Sequence, residues 1–259
     1  MDTNLNLEPF SAHSEFVRRT ENTKCAVMLI HGILSTPKFF RDFVRIIPEE
    51  ISVYNVLLDG HGKNVEDFSA TSMQKWKEQV HGIFDGLSTR YEKIILVGHS
   101  MGTLFSIDLA IRHPAKVKSL FLMASPLKVF VKPITAKYSY KVIFEKNCDK
   151  NPIEISAKET YGIAPDKRLW KYIPWAPRFI ELLTEIRRIR KLIPQLSTPT
   201  IVFQSQKDEL VSIRSSEFFR DNPNVQLYIL ETSSHQHHTP FDKRILLESF
   251  AKMLETINE

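Results

Sequence analysis

The chain reads as an α/β fold: a mostly parallel sheet with helices on both faces, interrupted by one long insertion. Three observations predict it. Short apolar runs alternate with helix-like segments along most of the 259 residues, the pattern of strands joined by crossover helices. The alternation stops between residues 125 and 197. Glycine is scarce, with only 8 in the chain, yet Gly32, Gly60, Gly62, Gly98 and Gly102 stand directly after apolar runs. The carboxyl ends of strands are where open α/β sheets build their sites.

The apolar runs are 25–30 (CAVMLI), 52–57 (SVYNVL), 93–98 (KIILVG), 118–124 (KSLFLMA), 199–204 (PTIVFQ) and 225–230 (VQLYIL). Each is short and apolar, as a buried strand is. Helices are expected near 37–48, 72–88, 101–113, 212–220 and 241–257. Residues 1–124 and 198–259 thus form one expected core, and 125–197 an expected cap. Within the insertion a mixed aromatic, basic and proline-containing stretch comes first. A helix follows, with Phe179, Leu182, Leu183, Ile186, Ile189 and Ile193 at helical spacing. Arg187, Arg188, Arg190 and Lys191 crowd its last turns, where cations suit the helix dipole, and Pro194 marks its end.

The composition, 42% hydrophobic and 25% charged, is that of an ordinary globular protein. The net charge of +5 is uneven. Residues 125–197 hold fifteen Lys and Arg against seven Asp and Glu, so this segment can meet anionic lipid or acidic substrates, or be a solvated basic face. No nucleic-acid motif accompanies it. Cys25 and Cys148 lie far apart and indicate no disulfide framework. Residues 1–16 lack the basic start and apolar centre of a signal peptide, and no apolar run approaches the roughly 18 residues that span a bilayer. A cytoplasmic location is the expectation.

The chemistry is carried by Gly98-His99-Ser100-Met101-Gly102, a G-x-S-x-G between an apolar strand and an amphipathic helix. A nucleophile elbow needs that context. Its turn is so tight that the serine is strained, and the flanking positions must be small for strand and helix to approach. The bland alternative is a serine capping the helix that begins near Met101. A hydroxyl is a weak nucleophile at neutral pH, so an imidazole must take its proton and a carboxylate must orient that imidazole. In folds with this elbow both follow the serine. TPTIVFQSQKDELVS offers Asp208 in a loop after a strand, with Glu209 as its nearest competitor. ETSSHQHHTPFDK offers His235, His237 and His238. His235 is favoured because it comes first after the strand and follows two small serines.

Attack on an ester puts charge on the carbonyl oxygen, so two backbone N–H groups should await it, worth about 3 to 4 kcal/mol each. Met101 supplies one, and Ile33, in the loop begun by His31-Gly32, the other. His31 and His99 read as packed histidines, His61 sits in a Gly-His-Gly loop, and His13, His81 and His113 are ordinary. The spacing H-x-H-H is a weak metal signal without a Cys or acidic partner, so neither a metal nor an organic cofactor is expected.

LIHGILSTP, LLDGHG, LVGHSMG, QSQKDELV and SSH together resemble the monoacylglycerol lipase and carboxylesterase branch of the α/β-hydrolase superfamily, over residues 25–124 and 197–257. The resemblance implies a serine esterase or lipase acting on a small-molecule ester or lipid. It also implies Ser100, Asp208 and His235 as catalytic residues, Ile33 and Met101 as oxyanion donors, and the insertion as a cap. Four departures stand out. Ile33 replaces a frequent aromatic, and Ser205-Gln206 a frequent glycine. The interval from His235 to Asp242 is long and fits His237 better. The N-terminal hairpin is shortened or absent. Phe130, Tyr138, Tyr140, Phe144, Trp170, Tyr172, Trp175 and Phe179 could line an acyl tunnel or merely hold the cap to the sheet. The same residues would serve a thioesterase, a peptidase or a C–C bond hydrolase, and a non-catalytic receptor can keep the fold. Dehalogenases and epoxide hydrolases of this fold place aspartate at the elbow, which Ser100 argues against.

Overall fold

The computed structural model describes residues 13–144 and 151–258; Cys148 lies outside them, and Cys25 is a buried free thiol. Among the described residues there are nine strands: β1 (Phe16–Arg18), β2 (Cys25–Ile30), β3 (Ser52–Val56), β4 (Lys63–Asn64), β5 (Lys93–His99), β6 (Val117–Met123), β7 (Ile163–Ala164), β8 (Thr200–Ser205) and β9 (Val225–Leu230). The helices are α1 (Arg41–Ile46), α2 (Val65–Ala70), α3 (Met73–Arg90), α4 (Met101–Arg112), α5 (Ile134–Phe144), α6 (Pro152–Thr160), α7 (Ala176–Leu192) and α8 (Pro240–Glu255). Seven strands form one sheet in the order β1-β3-β2-β5-β6-β8-β9, parallel except for β1. Among the described residues, β1 is a short antiparallel strand at the sheet edge, paired with β3. The expected helix at 212–220 is a 3₁₀ segment, Ile213–Phe218.

β2 shows how a continuous apolar run serves two faces. Ala26, Met28 and Ile30 pack into one core with Trp76, Leu104 and Ile189, while Cys25, Val27 and Leu29 pack into the other with Phe43, Leu246 and Phe250. Successive side chains of a strand alternate faces, so a strand covered on both sides has no polar position left. The strand order reverses between β2 and β5, which opens a crevice at their carboxyl ends. The loops after β2, β5, β8 and β9 all meet there.

The described residues of 125–197 lie between β6 and β8 and form α5, α6, the short β7, a 3₁₀ segment (Leu169–Trp175) and α7. The mixed stretch therefore holds two helices that its irregular apolar spacing did not announce. Helix α7 runs as its periodicity indicates, burying Ile186 and Ile189. It is tied to the core by ions: the buried Asp108 of α4 accepts from Arg188 at 2.8 Å, Arg112 at 3.1 Å and His81 of α3 at 3.2 Å. Nearer the crevice, Gly162 donates its N–H to the Leu34 carbonyl, 2.8 Å, and accepts from Gly62, 2.6 Å.

Candidate functional site

Ser100 stands between β5 and α4 with φ 51° and ψ −122°, a region that costs a non-glycine residue on the order of 1–3 kcal/mol. The elbow glycines explain how this is held. A Cβ on Gly98 would lie 2.7 Å from Thr103 Cα, and one on Gly102 would fall on the Ile30 carbonyl. Strand β5, helix α4 and strand β2 therefore touch through backbone alone. The Ser100 side chain makes no cap hydrogen bond to α4, which removes the reading of it as a helix cap.

The hydroxyl is paired instead across the sheet edge. Ser100 Oγ lies 3.1 Å from His235 Nε2, and His235 Nδ1 lies 2.8 Å from Asp208 Oδ2. The other carboxylate oxygen, Oδ1, accepts the N–H groups of Leu210 and Val211, both at 2.8 Å. All three side chains are buried. With Nδ1–H donated to the carboxylate, Nε2 is the free base facing the hydroxyl. Burial pushes the His235 pKa down, but the Asp208 charge and hydrogen bond, with Glu209 adding, outweigh it and leave the pKa raised. An imidazole so placed can accept a proton from a neighbouring hydroxyl and stay charged while an acyl group is transferred.

His235 is held at its backbone as well. Glu209 Oε2 accepts its N–H at 3.0 Å, and His99 Nε2–H donates to its carbonyl at 3.0 Å. His99, stacked on Phe39 at 3.8 Å, is thus a packed histidine that also supports the loop. Its burial, then the nearby His235 charge, holds its pKa well below the ordinary value. The rival histidines are occupied elsewhere. His237 Nδ1 pairs with Ser156 Oγ of α6 at 3.0 Å, and His238 packs edge-on to Phe39. The long interval to Asp242 is taken up by a knot in which that carboxylate accepts from Thr232 and Ser233.

Gly32 backs directly onto the serine: a Cβ there would sit 2.8 Å from Ser100 Cβ and 3.3 Å from its Oγ. The next residues, Ile33 and Leu34, line a cavity together with Ser100. Leu34 takes a φ of 60° and donates its N–H to His61 Nε2 at 3.1 Å. His31 Nδ1–H bonds the Gly32 carbonyl at 2.8 Å while its Nε2 accepts from Leu58, 3.1 Å. Both histidines are buried and neutral, His61 with a pKa pushed down to about 4 by burial. They brace the loop carrying the Ile33 amide. Met101 opens α4, so its N–H belongs to the first turn, where amides have no partner inside the helix.

The cavity over Ser100 has a volume of about 500 Å³, within the range of small-molecule sites. Of the eight aromatics singled out from sequence, Tyr138, Tyr172, Trp175 and Phe179 line it. Phe130, Tyr140 and Trp170 are exposed, and Phe144 packs on Tyr140. Val129, Val131, Leu182 and Leu210 also line the wall. Residues scattered over three helical segments and two loops give no periodic signal by which to find them. A larger depression, about 800 Å³, lies by Thr23 and Cys25 at the opposite end of β2, away from the paired serine.

Residues 21–242 match the family model described as serine aminopeptidase, S33. The chain belongs to this α/β-hydrolase family. Among curated relatives, the thermostable monoacylglycerol lipase of Bacillus sp. (strain H-257) is 32% identical over 108 residues, 41% of this chain and 40% of that lipase. The carboxylesterase of Bacillus subtilis (strain 168) is 22% identical over 239 residues, 90% of this chain and 93% of that enzyme. A solved structure from work on LipS and LipT, two metagenome-derived lipolytic enzymes, has a TM-score of 0.73 at 18% identity, covering 95% of this chain and 98% of that one. Identity that low speaks for the shared fold alone.

Proposed function

We propose that this S33-family chain hydrolyses carboxylic esters with apolar acyl groups, monoacylglycerol-like lipids among them. Ser100 attacks the acyl carbonyl as His235 takes its proton. The amides of Ile33 and Met101 hold the resulting oxyanion, and Asp208 steadies the imidazolium. His235 then hands the proton to the leaving alcohol, and water releases the acid from Ser100 by the same path reversed. The observation that carries this reading is the unbroken hydrogen-bonded line from Ser100 through His235 to Asp208, opening into a largely apolar cavity. Residues 125–197 act as the cap, since they supply most of the cavity wall. The lipase and carboxylesterase relatives agree with this chemistry.

The test is a chain-length series of acyl esters run on wild type and Ser100→Ala. Turnover should peak at an acyl length that fills the cavity, and the variant should lose at least about 10⁴-fold. A receptor that merely keeps the fold would leave Ser100 unlabelled by a fluorophosphonate, which needs an activated hydroxyl.

A second observation favours delivery of substrate from an anionic lipid surface. Among the described residues, twelve of the fifteen exposed large apolar side chains lie between Val129 and Leu183, Ile173, Leu169 and Trp170 the most exposed. The same segment carries the basic excess. Exposed apolar side chains ringed by cations suit a charged bilayer surface. No helix among the described residues is long and apolar enough to cross a membrane. Co-sedimentation with vesicles should rise with anionic lipid and fall with salt; binding indifferent to both removes this reading.

A further inference from the structure

Two carboxylates enter the site from the loop after β8. Asp208 is committed to the His235 ring. Glu209 is buried too, at 7% exposure, and lines the cavity. Its Oε2 accepts the His235 backbone N–H, and no ion pair reaches it among the described residues. Burying a carboxylate costs several kcal/mol unless it is compensated. A neutral oxygen would satisfy one amide at lower cost, so the charge itself needs a reason.

We infer that Glu209 is a positioning residue: its carboxylate fixes the His235 backbone while its charge favours the imidazolium formed during turnover. This rests on the reading of His235 as general base. The Glu209 backbone carbonyl accepts the Lys132 N–H at 2.8 Å and the Thr135 hydroxyl at 3.1 Å, and Phe130 N–H bonds the Leu210 carbonyl at 3.0 Å. Residues 208–211 are therefore bonded to the base on one side and to the start of the insertion on the other. A cap correctly seated on this loop keeps the second carboxylate against the histidine.

The ionisable surroundings of His235 are unequal in sign. Asp208 and Glu209 approach from the β8 loop, and the His99 ring lies 4.9 Å away from the elbow side. On the same loop as His235, His238 interacts electrostatically with it, and in turn with His237 and with Asp242 and Lys243 in the first turn of α8. Burial then keeps His99 and His238 neutral, leaving the two carboxylates as the charges that oppose the desolvation of His235. Removing one of them should lower the basicity of the ring.

The experiment compares Glu209→Gln, Glu209→Asp and Glu209→Ala with wild type on a soluble short-chain ester, reading kcat, KM and the acid limb of kcat/KM. Glu209→Gln keeps the acceptor and loses the charge. Its acid limb should move down by about half a unit or more, equivalent to about a threefold change at the foot of the limb, and its plateau kcat should fall. Glu209→Asp should restore the limb toward wild type, and Glu209→Ala should lose kcat further with KM little changed. A Gln variant with the wild-type limb and plateau overturns the inference, even if Ala is damaged, because only shape would then matter. If Ser100→Ala turns over like wild type, the general-base reading fails instead, and the two failures are told apart.

Discussion

Replacing Gly32 by alanine should test the oxyanion loop more sharply than any side-chain deletion. The added Cβ would stand 2.8 Å from Ser100 Cβ, whereas ordinary contact begins near 3.4 Å, so loop and serine must separate by about 0.6 Å. Neither can yield by rotating a flexible chain end. The serine is locked at the elbow by Gly98 and Gly102, and the loop is braced by His31 and His61. The loop that carries the Ile33 amide therefore retreats from the point where, on the proposed mechanism, the oxyanion forms. A misplacement of 1 Å can cost on the order of 10²-fold, and loss of one oxyanion donor about 10²–10³-fold. We expect kcat to fall about 10- to 100-fold with KM and the acid limb nearly unchanged, because the His235–Asp208 pair is untouched. Steady-state kinetics on a soluble ester, with a pH profile and a thermal melt, read all three. Gly82→Ala is the matched control: nothing lies within 4 Å of a Cβ there, in the middle of α3. It should stabilise the fold by about 0.5–1 kcal/mol and leave kcat alone. A Gly32→Ala enzyme within twofold of wild type would refute the argument.

Three other outcomes are expected. On the proposed mechanism His235 must be neutral to act and its pKa is raised, so kcat/KM should climb with pH to a half-point above the ordinary value of 6.5; a limb centred below that value contradicts the balance of charges. Asp208→Asn should reduce kcat by about 10³–10⁴-fold and shift the limb downward, measured in the same profile. Asp108→Asn should leave kcat unaffected and cost about 1–3 kcal/mol, its partners being partly exposed, or roughly 3–10 °C in Tm. Burial alone would raise the Asp108 pKa, but hydrogen bonds from His81 and Arg188, with the Arg188 and Arg112 charges, outweigh it and depress the pKa. That stabilisation is complete above the ordinary Asp value of about 3.9 and fades as pH falls below it, so the two melting temperatures should converge in acid.

The legible and illegible parts of the site differ in kind. Ser100 was readable because the elbow imposes glycine on both flanks, a local backbone demand that leaves a local mark. The choice among His235, His237 and His238 was not, since three histidines in four residues differ only in where a loop points them. The knot around Asp242 and the bond from Ser156 to His237 make that distinction, and both partners are distant in sequence or in another element. Glu209 entered as a rival for Asp208, and geometry gives it a separate partner, the backbone of the same histidine. Helices α5 and α6 escaped notice because they pack around a cavity rather than along a core, so no regular apolar stripe is written into them.

By itself the sequence determined a parallel sheet and the strained turn, because burial on two faces and backbone crowding act through neighbouring residues and leave periodic or fixed-spacing signatures. It also bounded the candidates for the proposed acid and base to two short loops. Only the tertiary structure decided which carboxylate meets the ring, which meets the backbone, and which aromatics face the cavity rather than solvent. Those outcomes depend on directions and distances between chain segments up to 135 residues apart, and free-energy differences of a few kcal/mol between loop conformations are not encoded in any single stretch of sequence.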